Sequence, residues 1–251
     1  KKYYLEGFNI SEEKALLINA DDIPIYNDQH WSHIFPDGLI DLGLRHADPS
    51  TDLQKKQQES IYLIDQWCNQ YEEKIRGLGG IGFFLGGIGP DGHIAFNIRG
   101  SDHNSTTRLM ETNFETQAAA ATDLGGIEIS KNRLVITIGL GTITYNKHAT
   151  AIIIAAGEAK APIVKMSLET EQDVRYPATA LQKLKNSRFY ITEGASKALR
   201  DTKEHYWHHV PWDIEKKQNA LLDLAKKKNK YGKKLLYDDL VNDPICKNIP
   251  G

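Results

Sequence analysis

Asp91 and His93 stand two residues apart, with Gly92 between them and the run Gly86-Gly87-Ile88-Gly89-Pro90 just before. A carboxylate beside an imidazole can fix which ring nitrogen carries the proton and raise the basicity of the other. The pair therefore suits proton shuttling on a small hydroxylated substrate. Gly86, Gly87 and Gly89 have no Cβ, which lets a ligand approach the backbone and leaves N–H groups that can cradle an anion. Their spacing does not fit G-x-G-x-x-G, so a dinucleotide cofactor is rejected. The plain alternative is a surface turn at Asp91-Gly92 followed by an ordinary histidine at a helix start.

The elements that must position this loop follow from the apolar pattern. Ile81 to Leu85 is an unbroken apolar run, the signature of a strand buried on both faces. In a parallel sheet the loop after it lies at the carboxyl ends of the strands, where ligands bind. Further strands are predicted at Leu134 to Ile138, Ala151 to Ala156 and Arg188 to Thr192, with a short one at Ala15 to Ala20. Ile61, Ile64, Trp67, Cys68, Tyr71 and Ile75 recur at helical spacing behind the N-cap cluster Ser50-Thr51-Asp52, and this long helix ends at Gly77 or Gly79-Gly80. Helices are also predicted from Gly157 to Ser167, from Pro177 to Leu184 and from Ala195 to Arg200. Lys1 to Gly7 reads as the end of a helix, and residues 21–50 as an irregular connection. The alternation predicts an α/β fold with a doubly wound, mostly parallel, Rossmann-like sheet. The chain opens Lys1-Lys2-Tyr3-Tyr4, as if mid-helix, so the domain is expected to be truncated at its N-terminal side. Residues 1–200 are expected to form this partial domain and 201–251 a C-terminal helical extension or linker. From Asp213 to Gly251 nine Lys face six Asp and Glu.

Composition narrows the function classes. The chain has 251 residues, 40% hydrophobic and 25% charged, with a net charge of −2. That excludes wholesale disorder, gives no global basic field for nucleic acid, and leaves no apolar run long enough to span a membrane. No charged-then-apolar N-terminal signal is present, and Cys68 and Cys246 make neither a disulfide framework nor a zinc ribbon, so a reducing cytoplasm is the expected location.

Four stretches resemble a known family. They are Cys68-Asn69-Gln70-Tyr71-Glu72-Glu73-Lys74-Ile75-Arg76, then Leu85 through Asn97 with its Asp91-Gly92-His93-Ile94-Ala95-Phe96-Asn97 core, then Thr137 to Ile143 with Gly157-Glu158-Ala159-Lys160-Ala161. Together they resemble, over about residues 1 to 200, glucosamine-6-phosphate deaminase (isomerase). The sister family, 6-phosphogluconolactonase, shares the GxDGH loop but differs where this chain has Ile94-Ala95-Phe96-Asn97. The resemblance implies an enzyme that opens an amino-sugar phosphate ring, isomerises aldose to ketose and releases ammonia, with no metal or organic cofactor. It implies that His93 shuttles the proton on the ring oxygen, that Asp91 is its carboxylate neighbour, that Gly87 and Gly89 contact the sugar, and that Lys160 holds the phosphate. Taken alone, Lys160 is better read as a solvated surface lysine. Arg108 matches an arginine that some members use in an allosteric pocket, but Asp102 and Met110 replace other positions of that pocket, so no amino-sugar allostery is expected.

Other departures limit the carry-over. Ile98 stands where the family has a glutamate completing a triad with Asp91 and His93, so the triad is expected to be broken. The family's second phosphate-holding arginine falls near Ala121 or Thr122, and its glycine-threonine loop and C2-proton base lie upstream of the segment that matches residues 1–10. The chain by itself is therefore expected to be impaired. Two rivals stand beside this reading: a lactonase-like hydrolase using His93 as base for water, and a non-catalytic phosphosugar-binding module. The expected partners are a sugar-phosphate, no nucleic acid and no membrane. A homo-oligomer or further domains of a longer parent are also expected, because missing strands would leave a sheet edge uncovered. His205, His208 and His209 read as a solvated connector rather than a metal site, Lys226 to Lys234 as an exposed helix face, and Ala118 to Ala121 as helix former. Asn104-Ser105-Thr106 fits the glycosylation pattern but has no secretory context.

Overall fold

A computed structural model describes residues 5–113, 117–118, 134–230 and 234–250. The expectations at Lys1 to Tyr4, at Ala119 to Thr122 and at residues 231–233 lie outside them. The chain divides into two compact units, Lys1–Ala195 and Ser196–Gly251.

In the first unit the long helix forms as expected. α1 runs Asp52–Gly77, and the Thr51 side chain caps it by accepting from the Gln54 amide. Its buried stripe includes Ile61, Ile64, Cys68, Tyr71 and Ile75. β1 (Phe83–Gly87) follows, then β2 (Arg108–Glu111), β3 (Leu134–Thr137), the short α2 (Leu140–Thr144), β4 (Thr150–Ala155), α3 (Ala161–Glu169) and β5 (Asn186–Ile191). The order β1-β4-β5 makes a three-stranded sheet, parallel throughout. This α/β arrangement is Rossmann-like, as expected.

Three expectations fail in detail. Ala15 to Asn19 forms no strand pairing among the described residues; the Tyr71 hydroxyl donates to the Leu16 carbonyl. The apolar run at 134 does not join the parallel sheet. It pairs antiparallel with β2, Arg108 opposite Thr137 and Glu111 opposite Leu134. Ile64, Cys68 and Leu109 then bury one face of this two-stranded sheet, with Leu134 and Ile136 packed against them. Length separates the cases: a four-residue apolar strand needs only one covered face, and α1 supplies it. The stretch predicted as a helix from Pro177 to Leu184 is 3-10, Pro177–Lys183. β1 is also less enclosed than its composition suggests, with Phe83 59% and Leu85 52% exposed.

The second unit is helical: α4 (Arg200–His209), α5 (Ile214–Lys227) and α6 (Tyr237–Val241). Residues 205–209 are helix, not connector, because Trp207 sits in this unit's core with Ala220, Leu224 and Cys246. Lys216 is buried there, its ammonium over the Trp212 and Tyr206 rings and donating to the Val210 carbonyl. His205 stacks on His209, and His208 pairs with Glu204.

Candidate active site

β1 and β4 are parallel neighbours with Gly87 opposite Ile154, so the segments leaving their carboxyl ends emerge side by side. One is Ile88 to His93. The other is Ala156 to Lys160, closed by a 3-10 turn at Glu158–Lys160. Lys160 Nζ donates to the Ile88 carbonyl at 2.7 Å, which ties the two together. Burial pulls the Lys160 pKa below the usual lysine range, against an opposing pull from the Asp91 charge. Around them opens a cavity of about 490 Å³, lined by Phe84 to Pro90, His93, Ala95, Phe96 and Lys160. Gly87, Gly89, His93 and Lys160 all line this cavity.

Asp91 does not line the cavity; it lies beneath it, its side chain 1% exposed. Its Oδ1 is 2.6 Å from His93 Nδ1. Its Oδ2 accepts from the Arg99 amide at 3.2 Å and from Asn113 Nδ2 at 2.7 Å. Burial alone would raise the carboxyl pKa, but His93, the Arg99 amide and Asn113 together hold it well below the usual carboxylate range. Asp91 is thus an anion, and an anion can only accept. Nδ1 of His93 must carry a proton, and in the neutral ring that makes Nε2 the basic nitrogen.

The loop geometry explains two glycines. An added Cβ at Gly89 would stand 2.0 Å from His93 Cε1 and 2.1 Å from Nδ1, so the imidazole lies flat against bare backbone there. Gly92 has φ of 86°, and its Cβ would meet Ile163 Cδ1 at 2.9 Å. The Gly89 amide closes the turn on the His93 carbonyl, and Gly86 and Gly87 end β1 instead of belonging to the loop. The free anion cradle expected from three loop glycines is not what forms. Ala95 takes a left-handed φ of 52° directly before Phe96, whose ring stacks on His93.

Beyond the loop, Asn97 is fully buried and donates to the Ile94 and Ile138 carbonyls, and the Phe96 amide donates to Thr137 Oγ1. Arg108 reaches Asn97 Oδ1 at 2.9 Å and Ser101 Oγ at 3.2 Å, and does not line the cavity. Its place is the loop's scaffold. Ile98 has no polar atom in its side chain to offer the imidazole, yet the imidazole is oriented, because Asp91 fixes Nδ1. Sequence reasoning missed Asn113, which no periodicity or motif marks; its one signal is a polar residue two positions past the end of β2. Among the described residues no group of three or more His, Cys, Asp or Glu is placed to hold a metal ion, and no helix is long and apolar enough to cross a membrane.

No family model matches the chain. Individual proteins do. The chain is 34% identical over 154 residues to the glucosamine-6-phosphate deaminase of Borreliella afzelii (strain PKo), covering 61% of this chain and 55% of that protein. It is 31% identical over 233 residues to glucosamine-6-phosphate deaminase 2 of Xenopus laevis, covering 90% and 77%. The chain belongs to the glucosamine-6-phosphate deaminase family. A solved structure of a monomeric glucosamine-6-phosphate deaminase superposes with a TM-score of 0.50 at 30% identity, over 54% of this chain and 55% of that one. The match spans about half the length of the Borreliella deaminases.

Proposed function

We propose that this chain binds an amino-sugar phosphate at the cavity above β1 and belongs to the machinery of its conversion to the ketose phosphate with release of ammonia. The observation that carries this reading is the imidazole of His93, protonated at Nδ1 by its bond to buried Asp91, on the same cavity wall as the Lys160 ammonium. In ring opening a proton leaves the C1 hydroxyl and one arrives on the ring oxygen as the C1–O5 bond breaks, giving the open aldehyde. His93 Nε2 is the group able to carry that proton. Lys160 supplies a point charge for the phosphate, and Gly87 lets the sugar lie close to the backbone, while the bare backbone at Gly89 seats the imidazole. Aldose–ketose isomerisation, for which the family's base for the C2 proton lies upstream of the segment matching residues 1–10, and hydrolysis of the C2 nitrogen then complete the change.

With Ile98 in the place of the family's glutamate, the imidazole has Asp91 behind it and no carboxylate at 98, and we expect ammonia release slower than that of the Borreliella or Xenopus relatives. The same Ile98 favours a second reading, a phosphosugar-binding module without turnover. Calorimetry with glucosamine-6-phosphate, paired with an ammonia assay, tests both. Binding that is lost in Lys160→Ala, with ammonia release that falls in His93→Ala, supports the first reading. Binding without ammonia selects the second. No binding by a folded chain, or faster hydrolysis of 6-phosphogluconolactone than ammonia release, ends both.

A further inference from the structure

Asp91 has two oxygens and one imidazole to orient. Oδ1 meets His93 Nδ1 at 2.6 Å and, more distantly, the His93 amide at 3.4 Å. A carboxylate whose other oxygen is loose can rotate about its Cβ–Cγ bond and present either oxygen, and then the ring is no longer fixed. Here Oδ2 is occupied from two directions. The Arg99 amide comes from the same loop, and Asn113 Nδ2 comes at 2.7 Å from a chain segment 22 residues away. Asn113 lies just past β2, and the β2–β3 sheet braces the loop at two further points, Arg108 to Asn97 and Thr137 to the Phe96 amide. The sheet is itself packed under α1, so the side-chain amide is delivered by a rigid support and not by the loop it steadies.

We propose that Asn113 is a positioning residue of this site: it locks the Asp91 carboxylate so that Oδ1 holds His93 as the Nδ1–H tautomer, with Nε2 as the basic nitrogen. The assignment rests on the proton-shuttling reading of His93 for its purpose, though not for its geometry. It also accounts for an oriented imidazole in a chain with isoleucine at 98. Asn113 acts through Asp91 and is placed in no contact with substrate.

The test is the imidazole nitrogen spectrum of ¹⁵N-histidine protein, with the His93 signals assigned among the nine histidines by their loss in His93→Gln. Wild type is expected to show His93 chiefly as Nδ1–H. Asn113→Leu removes the donor, and Asn113→Ala removes it with a smaller side chain. Each is expected to lower the Nδ1–H to Nε2–H ratio by about tenfold, the scale of one charge-assisted hydrogen bond. Thermal melts establish that each variant is folded, and should Asn113→Leu fail to fold, Asn113→Ala decides. An unchanged tautomer ratio in a folded variant overturns the proposal. Because no substrate is present, the ratio can be read even in a chain that releases no ammonia, and an unchanged ratio leaves the turnover reading standing.

Discussion

Two carboxylates are buried among the described residues of the first unit, and they do different things. Glu72, on α1, accepts from the Thr107 amide and hydroxyl, from the Thr142 hydroxyl at 2.7 Å and from Arg76. Asp91 accepts from His93, the Arg99 amide and Asn113. Burial would raise both pKa values; in each the donors prevail and hold the group below its ordinary range. The difference is what the partners face. Those of Glu72 tie α1 to the strand β2 and the helix α2, and none of them lines the cavity that holds His93. One partner of Asp91 is an imidazole on that cavity's wall. A buried anion by itself thus marks a junction; a buried anion holding a titratable ring at a cavity marks chemistry.

Junction and site should come apart under substitution. The largest effect is expected at His93: His93→Gln, whose side-chain amide can still donate to Asp91, should cut any ammonia release by about 10²- to 10⁴-fold with a smaller change in melting temperature than Glu72→Ala, checked by coupled assay and calorimetry. Glu72→Ala should do the reverse. It leaves the buried Thr107 and Thr142 hydroxyls without their acceptor and is expected to cost about 3 kcal/mol in urea unfolding, while glucosamine-6-phosphate affinity in the folded fraction holds. A loss of affinity without a loss of stability would show that the two carboxylates belong to one network.

Acid should then separate the two by slope. A carboxyl with a lowered folded pKa binds fewer protons folded than unfolded, so its contribution is present above the unfolded value, near pH 4, and is lost as pH falls through the folded one. Stability is expected to fall steeply below about pH 4, and the double variant Glu72→Gln, Asp91→Asn to show a flatter fall. Equal slopes would mean that neither carboxylate is held in the folded state as described.

The smallest effects lie at the loop glycines. Gly89→Ala drives a methyl into the imidazole and should cost about 1–3 kcal/mol and displace the ring. Gly87→Ala meets only the Ile154 carbonyl, at 3.9 Å, and should change stability by less than about 0.5 kcal/mol, so that any lost affinity reports on sugar contact alone.

Much of this was legible in the residues. The stripe from Ile61 to Ile75 specified α1, because an amphipathic helix needs only its own spacing and a cover. Ile81 to Leu85 and Ala151 to Ala156 specified strands of a parallel sheet, and the two-residue spacing of Asp91 and His93 specified their pairing, since one tight turn brings them together. Contacts between distant segments had to wait for the folded chain. Leu134 to Thr137 has the apolar content of a parallel-sheet strand but found β2 under α1, and content does not name a partner. Lys160 joins His93 only because β1 and β4 are adjacent and parallel. Asn113 meets Asp91 only because a separate two-stranded sheet carries it there. Local periodicity is written in the order of residues, whereas long-range pairing is chosen by which faces are left to bury once the local elements exist.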